Sequence, residues 1–421
     1  MRWARTRGLP VRRIPGGKTA TVYALRDELD RWAAQQADAE PVPATTADGE
    51  AFPQPPRRRL GIAIAAVAVV LTALGVAWAL RPGADSVPAR DASVQPLPAD
   101  PALSDLYLQA RDDWALRTPA ALARAIAALE TVTRRDPRFA PAFSALADTW
   151  LLAREFGGVS DAEAFEKARS AASASLQLDP DLAAAHRAMG FILYWADNDP
   201  VAAGRAFRRA LALTPNSAQT HFWYGNVLSD NGAHEAALRE LNQARLLEPG
   251  SVAIQTDLAW AEWSSGRQTD ARATLDQLAI SAPDFPVVQD CLSILRLAEG
   301  DVAGYVAAFT RYAELRGDEK LQRRARGLSA ALSQGVPAAR RQIAANALSD
   351  AGNGGVRDRA WAAFVFSAAG DRQALLQGLH RADAARERWG SAGATSRIRD
   401  RWAGDPEVLR LLDRRRPLPV E

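Results

Sequence analysis

The sequence predicts an all-α solenoid of paired helices, preceded by one membrane-spanning helix and a small head made of a β-hairpin and a helix. Three observations carry this: prolines that recur with a period near 34, an uncharged apolar run of 21 residues from Leu60 to Leu80, and an apolar and a β-favouring run on either side of a Pro-Gly-Gly-Lys turn. At 421 residues the chain exceeds one ordinary domain of about 100–200 residues, so two or three units are expected. The expected boundaries are a basic head at 1–36, a flexible linker at 37–59, the span at 60–80, a second linker at 81–100 and the solenoid at 101–421.

The solenoid is read from punctuation. Pro137, Pro180, Pro215, Pro249 and Pro283 are spaced by 43, 35, 34 and 34, and a fixed period of that size signals a repeat fold. Each proline ends one helical segment, because its ring clashes with the preceding turn and biases its neighbour away from helix. Small residues fall where antiparallel helices approach: Ala147, Gly190, Gly225 and Ala259 in first helices, Ala203, Ala237 and Ala271 in second helices. Larger apolar residues such as Leu146, Tyr224, Phe207 and Leu241 fill the positions between, in helical and not strand-like periodicity. The first spacing is longer through an insertion around residues 155–159, expected as a longer loop. The segments 103–136, 284–316 and 359–385 read as further, more degenerate repeats.

These in-phase positions resemble the tetratricopeptide repeat family across about residues 139–283, in stretches such as AHRAMGFILYWADNDPVAAGRAFRRALALTP and THFWYGNVLSDNGAHEAALRELNQARLLEP. The resemblance implies a concave surface lined by first helices that takes extended peptides or partner helices. By that geometry the groove presents Arg187, Phe191 and Tyr194, then Phe222 and Asn226, then Trp260 and Trp263. The competing reading is that these aromatics only pack one repeat on the next.

The run LGIAIAAVAVVLTALGVAWAL is long enough, at about 1.5 Å per residue, to cross a hydrocarbon core of about 30 Å. A buried core helix is usually shorter and is not flanked by proline-rich linkers. A cleaved signal ending near Ala77-Trp78-Ala79 does not start so far into a chain. Arg57-Arg58-Arg59 abut the N-terminal side, which the positive-inside rule places in the cytoplasm. The expected topology is therefore residues 1–59 inside and 81–421 outside, in the periplasm if the cell is Gram-negative.

In the head, an apolar run from Leu9 to Ile14, the turn Pro15-Gly16-Gly17-Lys18 and a β-favouring run from Thr19 to Ala24 form a hairpin signature, followed by a short helix with Leu29 and Trp32. The segment resembles the wing and final helix of excisionase-like or MerR-type winged helix-turn-helix domains. The resemblance implies phosphate contacts by Arg12, Arg13 and Lys18 of the wing, with Arg5 and Arg7 at the end of the recognition helix. Only Met1 to Ala4 precede Arg5, so the rest of that domain is expected upstream or lost. A basic tail that contacts anionic lipid is the alternative.

Residues 1–59 hold 11 Lys+Arg against 7 Asp+Glu, whereas the remainder holds 41 against 42. Basic character thus sits in the head, and a neutral solenoid has no electrostatic reason to bind nucleic acid. Cys291 is the only cysteine, which excludes an intrachain disulfide and Cys-based zinc or redox motifs. His186 and His221 occupy an apolar first-helix position and are expected to pack, and His234 and His380 are isolated, so neither metal nor cofactor is expected. No Walker, Gly-x-Ser-x-Gly or kinase signature occurs. The chain reads as a binding protein and not an enzyme. The layout looks like a membrane-anchored one-component transcriptional regulator: a protein or peptide in the groove changes the spacing or homodimerisation of the solenoids, and a head completed upstream binds DNA. The alternative is an envelope assembly scaffold for secretion, pilus or cell-wall machinery.

Overall fold

The computed structural model describes residues 12–13, 22–23, 97–417 and 420. The chain separates into two units, Met1–Asp85 and Ser86–Glu421. In the first, β1 (Arg12–Arg13) and β2 (Val22–Tyr23) pair antiparallel, with Arg12 opposite Tyr23 and Arg13 opposite Val22, inside the two β-favouring runs. The helix expected after the hairpin, Arg5, Arg7, Lys18 and the apolar run 60–80 lie outside the described residues. Among the described residues no helix is long and apolar enough to cross a membrane.

In the second unit the prolines set the helix ends. α1 (Pro101–Leu116) and α2 (Pro119–Arg135) form the first pair, α3 (Ala140–Phe156) and α4 (Asp161–Leu178) the second, and α5 (Ala183–Trp195) and α6 (Pro200–Leu213) the third. α7 (Ala218–Asp230) and α8 (His234–Leu247), then α9 (Val252–Ser264) and α10 (Gln268–Ser281), continue the array. The helices α2, α4, α6, α8 and α10 each stop two residues before one of the five periodic prolines, and the next helix starts three residues after it. Asp100, Thr118, Asp199 and Asp405 cap helices whose first residue is proline, which needs no backbone donor there.

Why the helices pair so closely follows from the small residues. A Cβ added at Gly190 would stand 3.0 Å from the Phe207 ring, and one at Gly225 would stand 2.6 Å from Leu241 Cγ. Phe207 and Leu241 are fully buried, each worth about 1.5–3 kcal/mol relative to exposure. Ala147, Ala203, Ala237, Ala259 and Ala271 are likewise fully buried. The insertion in the second pair is not a longer loop: α3 and α4 span 17 and 18 residues where α7 and α8 span 13 and 14. Each helix has grown by about one turn, because added residues with helix-forming side chains extend a helix at little cost.

Beyond the periodic prolines come α11 (Pro286–Ala298), α12 (Val302–Arg316), α13 (Glu319–Ser333), α14 (Val336–Asn353), α15 (Val356–Ala369) and α16 (Arg372–Ala384). Gly370 closes α15 in the left-handed conformation (φ 77°). Two short helices follow, α17 (Ala392–Arg401) and α18 (Pro406–Asp413). The chain then turns back: α17 packs on α7, α9 and α15, and α15 touches α11. Val420 lies in the same apolar cluster as Leu103 and Phe207, and its carbonyl accepts from Arg208 at 3.0 Å. The result is a tetratricopeptide-like α-solenoid whose later helices close on its earlier ones.

Candidate functional site

The first helices α3, α5, α7, α9 and α11 together line a cavity of about 180 Å³. Phe191, Phe222 and Asn226 of the predicted groove line it, together with Glu155, Phe156, Trp223, Asp257, Phe285 and Arg117. Arg117 arrives from the end of α1, where it adopts left-handed backbone (φ 51°), a conformation costing about 1–2 kcal/mol for a residue with a Cβ. Its guanidinium carbon sits 5.9 to 6.0 Å from the centres of the Trp114, Phe156 and Phe222 rings. The guanidinium donates to Gln219 Oε1 at 3.5 Å, and among the described residues no carboxylate lies within 4 Å of it. Burial lowers its pKa, partly offset by the charges of Glu155 and Asp257.

Opposite stands Asp257, whose Oδ2 accepts from Asn226 at 2.7 Å. Burial, reinforced by the nearby Glu155 charge, raises its pKa to about 7. Asp290, one first helix further on, is raised to about 6, again chiefly by burial. The cavity wall therefore sets a half-buried carboxyl, Asp257, beside an arginine that lies against rings, with the half-buried Asp290 one helix away.

The other predicted residues are placed elsewhere. Arg187 is ion-paired to the buried Asp148 and lies over the Trp223 ring at 5.8 Å. Tyr194, 2% exposed, donates to Asp230 at 3.2 Å, and Arg357 of α15 covers its ring at 4.9 Å and donates to its carbonyl at 3.3 Å. Burial pushes the Tyr194 hydroxyl pKa well up. Trp260 and Trp263 pack ring to ring at 4.7 Å, and Arg397 of α17 lies over Trp263 at 4.7 Å while donating to its carbonyl at 2.6 Å. Gly393 makes room for this, since a Cβ there would stand 2.6 Å from Ser264 Oγ and 2.7 Å from Trp263. At the Tyr194 and Trp263 end, then, the first helices are covered by the chain's own later helices.

Sequence reasoning missed Arg117, Asp257 and Asp290. Asp290 stands at the same distance after its periodic proline as Arg187 and Phe222 do, so its phase was a usable signal. Nothing in the sequence announces Arg117, whose position depends on one left-handed residue. His186 and His221 do not simply pack: their Nε2 atoms each meet the carbonyl of the proline six residues earlier at 2.8 Å. Gln255 donates to the Pro249 carbonyl at the same register, at 2.9 Å. Burial disfavours the His221 imidazolium, but Glu240 at 2.5 Å and the Pro215 carbonyl outweigh it and raise its pKa.

Residues 228–293, from the end of α7 to α11, match the tetratricopeptide repeat family. Similar solved structures include PilF of Pseudomonas aeruginosa (17% identity, covering 60% of this chain and 93% of that one, TM-score 0.35). A tetratricopeptide repeat protein of Thermus thermophilus is 20% identical over 48% of this chain and 95% of that one, with a TM-score of 0.32. The Cut9–Hcn1 hetero-tetramer of the APC/C is 15% identical, covers 74% of this chain and 55% of that one, and has a TM-score of 0.47. No curated protein matches the chain.

Proposed function

We propose that the solenoid is a protein-interaction scaffold that takes a segment of a partner protein into the cavity between Arg117 and Asp257. The observation that carries this reading is Arg117 itself. A guanidinium held among three rings, with no carboxylate within 4 Å and on strained backbone, costs stability, and such groups are retained where a ligand uses them. The test is selection of displayed peptides on the purified protein, followed by binding to Arg117→Ala and Asp257→Asn. Peptides whose affinity falls at least about tenfold in either variant support the groove. Selected peptides indifferent to both variants place binding elsewhere.

In the cell, the scaffold is anchored by residues 60–80 in a bacterial inner membrane, with residues 1–59 cytoplasmic and the solenoid on the outer side. Supporting this are the uncharged length of that run and the arginines before it. The finer reading is the sensor of a transmembrane transcriptional regulator whose head contacts DNA through Arg5, Arg7, Arg12, Arg13 and Lys18. The basic charge of the head favours it. Reporter fusions before Arg57 and after Asp85 read the sidedness, and DNA capture by the head reads the regulator. Opposite sidedness without salt-dependent capture leaves an envelope assembly scaffold.

A further inference from the structure

Arginines on the second helices of the array find acids 27 or 28 residues away: Arg169 with Asp197 at 2.7 Å, Arg272 with Glu299 at 2.7 Å and Arg311 with Asp284 at 3.2 Å. The pair α13 and α14 departs from this. Residues 319–349 hold six Lys+Arg against one Asp+Glu, although residues 60–421 as a whole hold 41 against 42. The acids at the ends of the pair are engaged: Glu319 accepts from Arg323 at 3.1 Å, Asp350 accepts from Arg324 at 2.7 and 2.8 Å, and Asp318 caps α13 by accepting from the Leu321 N–H at 2.8 Å. Lys320, Arg326, Arg340 and Arg341 are all exposed and, among the described residues, have no carboxylate within 4 Å.

α13 turns back into α14 over Gln334 and Gly335 and packs against it. At about 1.5 Å per residue, Arg326 before the turn and Arg340 and Arg341 after it differ by no more than about 6 Å in height, and Lys320 is level with Leu348 to about 3 Å. The apolar members decide what such a face fits. Leu348 stands two helical turns beyond Arg341 on the same side of α14 and is 56% exposed, and Val336 at the start of α14 is exposed too. A leucine beside guanidiniums gains by entering a lipid headgroup layer and gains nothing from a phosphate backbone in water. Residues 319–349 contain no aromatic side chain on which a nucleic-acid base could stack.

We propose that the exposed face of α13 and α14 docks on an anionic bilayer, with Arg326, Arg340 and Arg341 on lipid phosphates and Leu348 among the headgroups. The groove reading is not needed for this. The anchoring reading enters only through proximity: the twenty residues 81–100 reach at most about 70 Å and hold a solenoid anchored at 60–80 near the membrane.

The test mixes the full chain with vesicles of phosphatidylcholine alone or of equal parts phosphatidylcholine and phosphatidylglycerol, floats them at low and at high salt, and follows amide exchange by mass spectrometry. Exchange in α13 and α14 is expected to be at least about tenfold slower on the phosphatidylglycerol vesicles. High salt and Arg326→Gln/Arg340→Gln/Arg341→Gln are expected to abolish the difference, and Arg138→Gln/Arg205→Gln/Arg239→Gln, at exposed arginines elsewhere, to leave it unchanged. Flotation at high salt on both vesicle types reads the anchor separately. Its loss removes the anchoring reading and keeps the docking face, provided that low-salt flotation on phosphatidylglycerol depends on the three arginines. Equal exchange on the two vesicle types, equal protection in the triple variant, or stronger protection of α13 and α14 by duplex DNA than by phosphatidylglycerol overturns the proposal.

Discussion

Asp257 carries the clearest pH consequence at the scale of one residue. Its folded pKa of about 7 stands above the ordinary 3.8, because burial and then the Glu155 charge disfavour the carboxylate. The folded state therefore holds a proton that the unfolded state releases, and the stability this confers is present below about pH 4 and lost as pH rises through about 7. The full effect is on the order of 4 kcal/mol. Asp257→Asn is expected to unfold at higher denaturant than the parent at pH 8.5 and to differ little at pH 4. Parallel pH profiles for the two proteins would show that the carboxyl is not held protonated. Asp290, raised to about 6, is expected to add a smaller loss over a lower window.

The helix pairs discriminate between glycines that look alike in sequence. Gly225 lies in the middle of α7 against Leu241, whereas Gly327 lies in the middle of α13 with nothing within 4 Å of an added Cβ. Alanine favours a helix over glycine by about 1 kcal/mol, so Gly327→Ala is expected to stabilise by about that amount. At Gly225 the overlap with Leu241 outweighs the gain, and Gly225→Ala is expected to destabilise by about 1–3 kcal/mol. Thermal melts of both variants check the pair, and a shift of the same sign in both would refute the close approach. The element scale is also where the sequence was most readable. Proline periodicity located the ends of five helices, and the small residues Gly190 and Gly225 located the tight crossings, because both are local steric rules. The extra turn in α3 and α4 was missed because Gly157-Gly158 suggested a loop over residues 155–159, whereas the added length went into the two helices on either side. Of the groove residues, Phe191, Phe222 and Asn226 reached the cavity. Tyr194 and Trp263 did not stay open, because Arg357 of α15 and Arg397 of α17 are brought over them by contacts more than 100 positions apart, which no local pattern announces.

At the scale of the whole second unit, the roof over Tyr194 and Trp263 rests on two arginines. Arg357 and Arg397 each combine a hydrogen bond to a carbonyl with a ring contact, interactions worth about 1–3 kcal/mol together. Arg357→Ala/Arg397→Ala is expected to leave α3 to α10 intact and to speed amide exchange in α17 by about ten- to a hundredfold, read by mass spectrometry. Unchanged exchange in α17 would mean that the arginines follow the closure and do not maintain it.

That closure alters how such a chain comes apart. A linear stack of repeats, each touching only its neighbours, unzips from whichever end is weaker. Here Trp263 is tied to Arg397 across 134 positions, Tyr194 to Arg357 across 163 and Arg208 to Val420 across 212. The late helices cannot fray without stripping the early ones of their cover, so melting becomes concerted, and folding must wait on the slow meeting of distant segments. A solenoid built this way trades the elasticity of an open spring for the stiffness of a buckled strap.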